Sequence, residues 1–160
     1  MPYLPSQPDC SKEVIFHTYI LLLRAETAFR PNHAAMEKHT FPKGWYTYQG
    51  SAQRGLEQRV ARHFKREKPS RWHVDGVTTH PMVRPIGAVA LGGVWSECKA
   101  TMEMGGRWGL VAPVRGFGAS DCRHGCPAHL FQSDQPITLE ELSVSLGGEG
   151  ALILPSEAVE

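Results

Sequence analysis

Gly44-Trp45-Tyr46-Thr47-Tyr48-Gln49-Gly50-Ser51 is the stretch on which the fold turns. Trp45 to Tyr48 are aromatic or β-branched and stand between two glycines, the composition of a strand bounded by breakers. The period then changes. Leu56, Val60 and Phe64 recur every four residues and so line one side of a helix. Ser51 offers an N-cap for that helix, and Pro69 forces its end near Lys68. Gly55 inside the span costs about 1 kcal/mol relative to alanine.

Upstream, Thr18-Tyr19-Ile20-Leu21-Leu22-Leu23 is a short apolar run without caps and reads as another strand. Downstream, Ile86 to Leu91 is a third strand, set off by Pro85 and broken at Gly92-Gly93. Val94, Cys98, Thr101 and Met102 then recur at helical spacing until Gly105-Gly106. Leu110 to Val114 is a short strand or loop, with Pro113 keeping it out of a central position. Thr138 and Glu141 have capping-box spacing, and Gly147-Gly148 closes the short helix they start. Strand, strand, helix, strand, helix within one domain is an α+β pattern.

At 160 residues, with 41% hydrophobic and 21% charged side chains, one domain with a self-sufficient core is expected. Its boundaries read as 12–133, after an extended lead-in over 1–11 and before an acidic segment over 134–160. The longest apolar block, Val14 to Leu23, is half the roughly 20 residues that a bilayer requires. No basic, secretory-type start precedes that block, and four cysteines (Cys10, Cys98, Cys122, Cys126) are too few for a disulfide scaffold. An intracellular, cytoplasmic protein with reduced thiols and no membrane partner is the expectation.

The net charge of +1 conceals a division. Residues 12–71 carry twelve basic against five acidic side chains, whereas residues 118–160 carry one against seven. Arg54, Arg59, Arg62, Lys65, Arg66, Lys68 and Arg71 crowd the helix and its exit, opposed there by Glu57 and Glu67. Such a set suits phosphate contacts, which give salt-dependent affinity without reading sequence. A solvated helix face has the same composition.

Tyr48-Gln49-Gly50-Ser51-Ala52 followed by Leu56-Glu57-Gln58-Arg59-Val60-Ala61-Arg62-His63 resembles the second strand and first helix of GIY-YIG nucleases. The resemblance is to their Uri-like branch, a set largely without assigned function and sometimes joined to endonuclease III. It extends to Arg71-Trp72-His73-Val74-Asp75, to Glu97-Cys98, and to Gly116-Phe117-Gly118-Ala119-Ser120-Asp121-Cys122 with His129-Leu130-Phe131, in order across residues 18–131. The first-strand signature reads His17-Thr18-Tyr19, which keeps the tyrosine and has histidine in place of glycine. Gln49 stands where an aliphatic residue is usual. The resemblance implies a central, mostly antiparallel three-stranded sheet flanked by helices. It also implies a metal-dependent endonuclease acting on DNA, with RNA as a second polyanion. In that scheme Tyr19 and Tyr48 orient or deprotonate water, Arg59 contacts phosphate, His63 lies near the site, and Glu97 holds Mg²⁺ or Mn²⁺.

Those residue types suit the task, because phosphodiester hydrolysis needs an activated water, a Lewis acid and a phosphate anchor. The planar fork of arginine donates two hydrogen bonds to phosphate. Mg²⁺ keeps several waters, so a single carboxylate suffices. Two other readings remain: a nucleic-acid-binding module without catalysis, which the missing glycine favours, and a zinc-bearing interaction domain built on Cys122, His124, Cys126 and His129. Ordinary packing of a loop is the plainer account of those four, since they fall within eight residues and structural zinc sites usually join two separated pairs. His73 and Asp75 are read as structural polar residues. Serine-hydrolase, P-loop and dinucleotide motifs are absent.

Overall fold

A computed structural model describes residues 15–93, 95–119, 122–146 and 152–154. The lead-in with Cys10, the helix-pattern residue Val94, Ser120-Asp121 and the Gly147-Gly148 stop lie outside them. The architecture is α+β, as the pattern of elements implied. β1 (Phe16–Ala25), β2 (Gly44–Ser51) and β3 (Val83–Gly92) form the antiparallel centre, and β4 (Leu130–Ser133) and β5 (Leu152–Leu154) extend it to five strands in the order β4-β2-β1-β3-β5. The expected three strands are therefore the middle of a wider sheet. Neither edge strand was anticipated, because β4 has only four residues and β5 three.

β1 is central and covered on both faces, which explains its unbroken apolar run. Tyr19, Leu21 and Leu23 point to one face, where they meet Leu56 and Val60 of α1 (Leu56–His63) and Val77 of α2 (Asp75–Thr78). Ile20 and Leu22 point to the other and pack with Ala100 of α3 (Glu97–Met102), Met104, and Leu142 and Leu146 of α4 (Leu139–Leu146). The described part of the acidic segment thus joins the same layered core. Gln49 also faces this second side and is fully buried, its amide donating to Thr47 and accepting from Thr101. Two hydroxyls thus satisfy the buried amide.

Local signals met different fates. The capping box is formed on both arms: Glu141 N donates to Thr138 Oγ1 at 3.0 Å and Thr138 N to Glu141 Oε1 at 2.9 Å. The first helix is shorter than its pattern. Gly55 adopts φ +65°, where only glycine is comfortable, and so ends the preceding turn rather than continuing a helix. Ser51 consequently closes β2 instead of capping, and α1 ends at His63 rather than Lys68. The helix expected from Val94 is α3, which starts at Glu97, capped by Ser96 Oγ accepting from Lys99 N at 3.1 Å, and continues through Gly105-Gly106 as a π turn over Glu103–Arg107. Pro85 sits beside a β-bulge, where Leu22 pairs with Gly87 and Leu23 with Pro85, outside the part of β3 that β5 covers. Residues 110–114 contribute one bridge, Val111 to Gln132.

Candidate active site and metal corner

At one end of the sheet an open cleft of about 1240 Å³ is lined by Tyr19, Tyr48, Ser51, Arg54, Arg59, Arg71, Trp72, Glu97 and Arg123, among others. The antiparallel register creates the first part of it. Tyr19 in β1 pairs with Gly50 in β2, and the ring of Tyr19 lies across that glycine, where a Cβ would overlap its hydroxyl. The Tyr19 and Tyr48 rings are 6.4 Å apart. Behind them, Tyr19 Oη and His63 Nε2 share a buried hydrogen bond of 2.6 Å, and His63 Nδ1 has no partner. His63 is on the final turn of α1, one turn beyond Arg59, so the helix feeds both residues to the same sheet surface.

Charges in the cleft are held by named neighbours. Arg59 Nη1 donates to the Ser51 carbonyl at 3.0 Å, and its guanidinium lies 4.6 Å above the Trp72 ring. Glu97 Oε2 accepts from Ser51 Oγ, and Glu97 Oε1 lies 3.1 Å from His129 Nδ1. Burial opposes the ionised form of Glu97, but His129, Ser51 and Arg59 together hold its pKa below the usual value. Burial pushes the pKa values of Tyr19 and Tyr48 well up, and the negative charge of Glu97 adds to this in both cases. Burial, followed by the Lys68 cation, lowers the pKa of His63 to about 3. At neutral pH the cleft therefore presents two phenols, a neutral imidazole, an arginine and a carboxylate.

The structure brings Tyr19, Tyr48, Arg59 and Glu97 to one cleft and sets His63 immediately beneath it. It divides the expected nucleic-acid-binding set. Arg54, Arg59 and Arg71 line the cleft, joined by Arg123, which charge patterning in the first half of the chain could not show. Arg62 is instead committed to fully buried Asp75, with Nη1–Oδ1 2.8 Å and Nη2–Oδ2 3.2 Å, and also donates to the Pro69 carbonyl. Arg66 donates to the His80 carbonyl and Lys68 to that of Arg62; Lys65 is exposed just beyond the end of α1. Four arginines and one carboxylate among the lining residues leave an excess of positive charge toward solvent. Trp72 was missed as a contributor. Three arginines gather on its ring, Arg62 and Arg71 at 4.5 and 5.7 Å besides Arg59, which fixes the guanidiniums by stacking.

Beside Glu97 lies a second constellation. Ligand atoms of Cys98, Cys122, Cys126 and His129 all fall within 4.8 Å of one another, and Cys98 Sγ is 3.5 Å from Cys122 Sγ. A tetrahedral zinc with Zn–S of about 2.3 Å would space its sulfurs about 3.8 Å apart. The sequence-derived set of Cys122, His124, Cys126 and His129 needs correction: His124 is exposed and Cys98 takes its place. The objection that one turn could not wrap an ion is met by α3, which delivers Cys98 from a distant part of the chain. The preference of structural zinc sites for ligands from separated segments, applied to the Glu97-Cys98 match, would have pointed there. The amides of His124 and Cys126 point at Cys122 and lower its pKa to about 6, whereas burial drives that of Cys126 up to about 12. His129 is 3% exposed, and neither ring nitrogen has an aligned hydrogen bond. Burial works against the charged form of that ring, but the Glu97 carboxylate raises its pKa overall.

A family model described as Domain of unknown function DUF123 matches residues 18–149. The chain belongs to this family. The DUF123 match begins in β1 one residue before Tyr19 and runs past α4, so it contains the cleft, the Cys/His corner and both covering layers of the sheet. No curated protein and no solved structure matches the chain. No helix among the described residues is long and apolar enough to cross a membrane.

Proposed function

We propose that this DUF123 chain is a metal-dependent endonuclease of GIY-YIG type that hydrolyses DNA phosphodiester bonds in the Tyr19–Glu97 cleft. The observation that carries the reading is the convergence of Tyr19, Tyr48, Arg59 and Glu97 on one arginine-lined cleft, with His63 hydrogen-bonded to Tyr19. The ordered resemblance to GIY-YIG nucleases supports the same assignment. Because burial and Glu97 keep both phenols protonated, the tyrosines serve to orient the attacking water rather than act as resting tyrosinates. Neutral His63 accepts a hydrogen bond from the Tyr19 hydroxyl and so fixes its orientation. Arg59, held by the Ser51 carbonyl and Trp72, keeps donors of its fork for a non-bridging phosphate oxygen. Mg²⁺ or Mn²⁺ on Glu97, which is in part solvent-facing, would supply the Lewis acid.

Incubating the purified full chain with supercoiled and branched DNA and either cation tests this. Cleavage by wild type and strongly reduced cleavage by Glu97→Ala are expected; equal cleavage would sink the site. Metal-independent, salt-sensitive binding without product would instead favour a binding module for DNA or RNA.

The corner favours a second assignment, zinc on Cys98, Cys122, Cys126 and His129. Three cysteines and a buried imidazole with no aligned hydrogen bond on either nitrogen, at this spacing, form a donor set that zinc accepts. Elemental analysis showing no stoichiometric zinc removes it.

A further inference from the structure

We infer that Glu97 is a positioning residue for the Cys/His corner as well as a cleft carboxylate, so that the soft-ligand site and the cleft are coupled through the imidazole of His129. The inference rests on the zinc assignment and is independent of nuclease activity.

The covalent arrangement comes first. Glu97 and Cys98 are consecutive at the start of α3, so one turn supplies a carboxylate and a thiolate to adjoining parts of one cleft, whose wall also includes Cys122 and His129. His129 stands between them, with Nδ1 3.1 Å from Glu97 Oε1 and Nε2 buried without a partner. If Nε2 ligates an ion, the proton must reside on Nδ1, and the neighbour it faces is that carboxylate. Imidazole ligands are commonly oriented in this way, the outer carboxylate fixing tautomer and ring angle and strengthening the donor nitrogen. Metal loading would turn the 3.1 Å contact into an aligned hydrogen bond. The opposite oxygen of Glu97 is held by Ser51, which follows Gly50 at the end of β2. The carboxylate is therefore held between a strand of the cleft and a ligand of the corner. Linkage makes the coupling reciprocal: whatever orders His129 also orders Glu97.

The test uses zinc alone and the full-length protein, with no nucleic acid. Zinc affinity is measured by competition with a chromophoric chelator in wild type, Glu97→Gln and Ser51→Ala, with circular dichroism confirming the fold of each. Glu97→Gln keeps the size of the side chain and removes its charge. It is expected to weaken zinc binding about 10–100-fold, the usual range for an outer-shell partner, and to shift the ligand-field bands of the cobalt(II)-loaded protein. Ser51→Ala, which releases the opposite oxygen of the same carboxylate and keeps its charge beside His129, is expected to weaken zinc binding by less than Glu97→Gln does. Equal zinc affinity and identical cobalt spectra in wild type and Glu97→Gln would overturn the coupling while leaving the zinc assignment intact. Failure of wild type to take up zinc would overturn both.

Discussion

Asp75 and His129 are both buried polar residues at the margins of one cleft, and they are treated in opposite ways. The Asp75 carboxylate receives two hydrogen bonds from Arg62 and one each from the amides of Arg71, at 2.7 Å, and Trp72, at 2.9 Å. Burial alone would raise its pKa, yet these donors bring it below the ordinary value. His129, as buried, has no aligned partner on either nitrogen, and His63 lacks one on Nδ1. A buried polar group left unpaired costs about 1–3 kcal/mol, so native proteins seldom tolerate one without reason. The saturated carboxylate is framework: it ties the exit of α1 to α2 and stations Trp72 under the arginines. The His129 nitrogens, beside three cysteines, mark the side of the cleft where an ion can be accommodated.

Breaking the saturated side is expected to give the largest effect. Asp75→Ala leaves Arg62 without its partner and should lower stability by about 3–5 kcal/mol, read as a shifted urea midpoint with nothing gained at the corner. Next comes the cleft, where Glu97→Ala should reduce cleavage about 10²–10³-fold, comparable to losing one preorganised transition-state contact, while the urea midpoint moves little. Third is a pH effect. His63 has a pKa of about 3 when folded and about 6.5 when unfolded, so the unfolded state binds the extra proton. Stability should then be fully present above about pH 6.5 and fall as pH drops toward 3, by at most about 1.4 kcal/mol per pH unit. His63→Gln should flatten that slope in urea titrations across the window. The smallest effect belongs to the far layer: Thr138→Ala removes a helix cap, costs about 1 kcal/mol, and should leave cleavage and zinc uptake unchanged.

The centre of the fold was readable because its residues obey local rules. β1 is a run of apolar residues buried on both faces, β2 is aromatic between glycines, and the capping box at Thr138 is self-contained. The first helix starts later than its pattern because Gly55, at positive φ, is its boundary rather than a weak helical residue, and it ends at His63, ahead of the stop that Pro69 would impose. The edge strands β4 and β5 are too short to carry a pattern and exist because β2 and β3 offer open edges. At the cleft, the tyrosines and the arginine were legible through an ordered motif. Asp75 taking Arg62, and Cys98 replacing His124, depend on contacts between segments far apart in sequence, and no periodicity encodes those. Counting cations along the helix likewise could not tell which ones the fold consumes internally.

The strand order has a consequence for synthesis. Reading the sheet as β4-β2-β1-β3-β5, the first strand made is in the middle, the next two flank it, and the last two lie at the rims. Each new strand joins an open border as it emerges, and none has to be threaded between partners already paired. Folding during translation, N-terminal parts first, can thus lay down the tyrosine floor of the cleft early. Cys122, Cys126 and His129 arrive later, immediately ahead of β4, so the corner is assembled late and a nascent chain has its floor before it has its clasp.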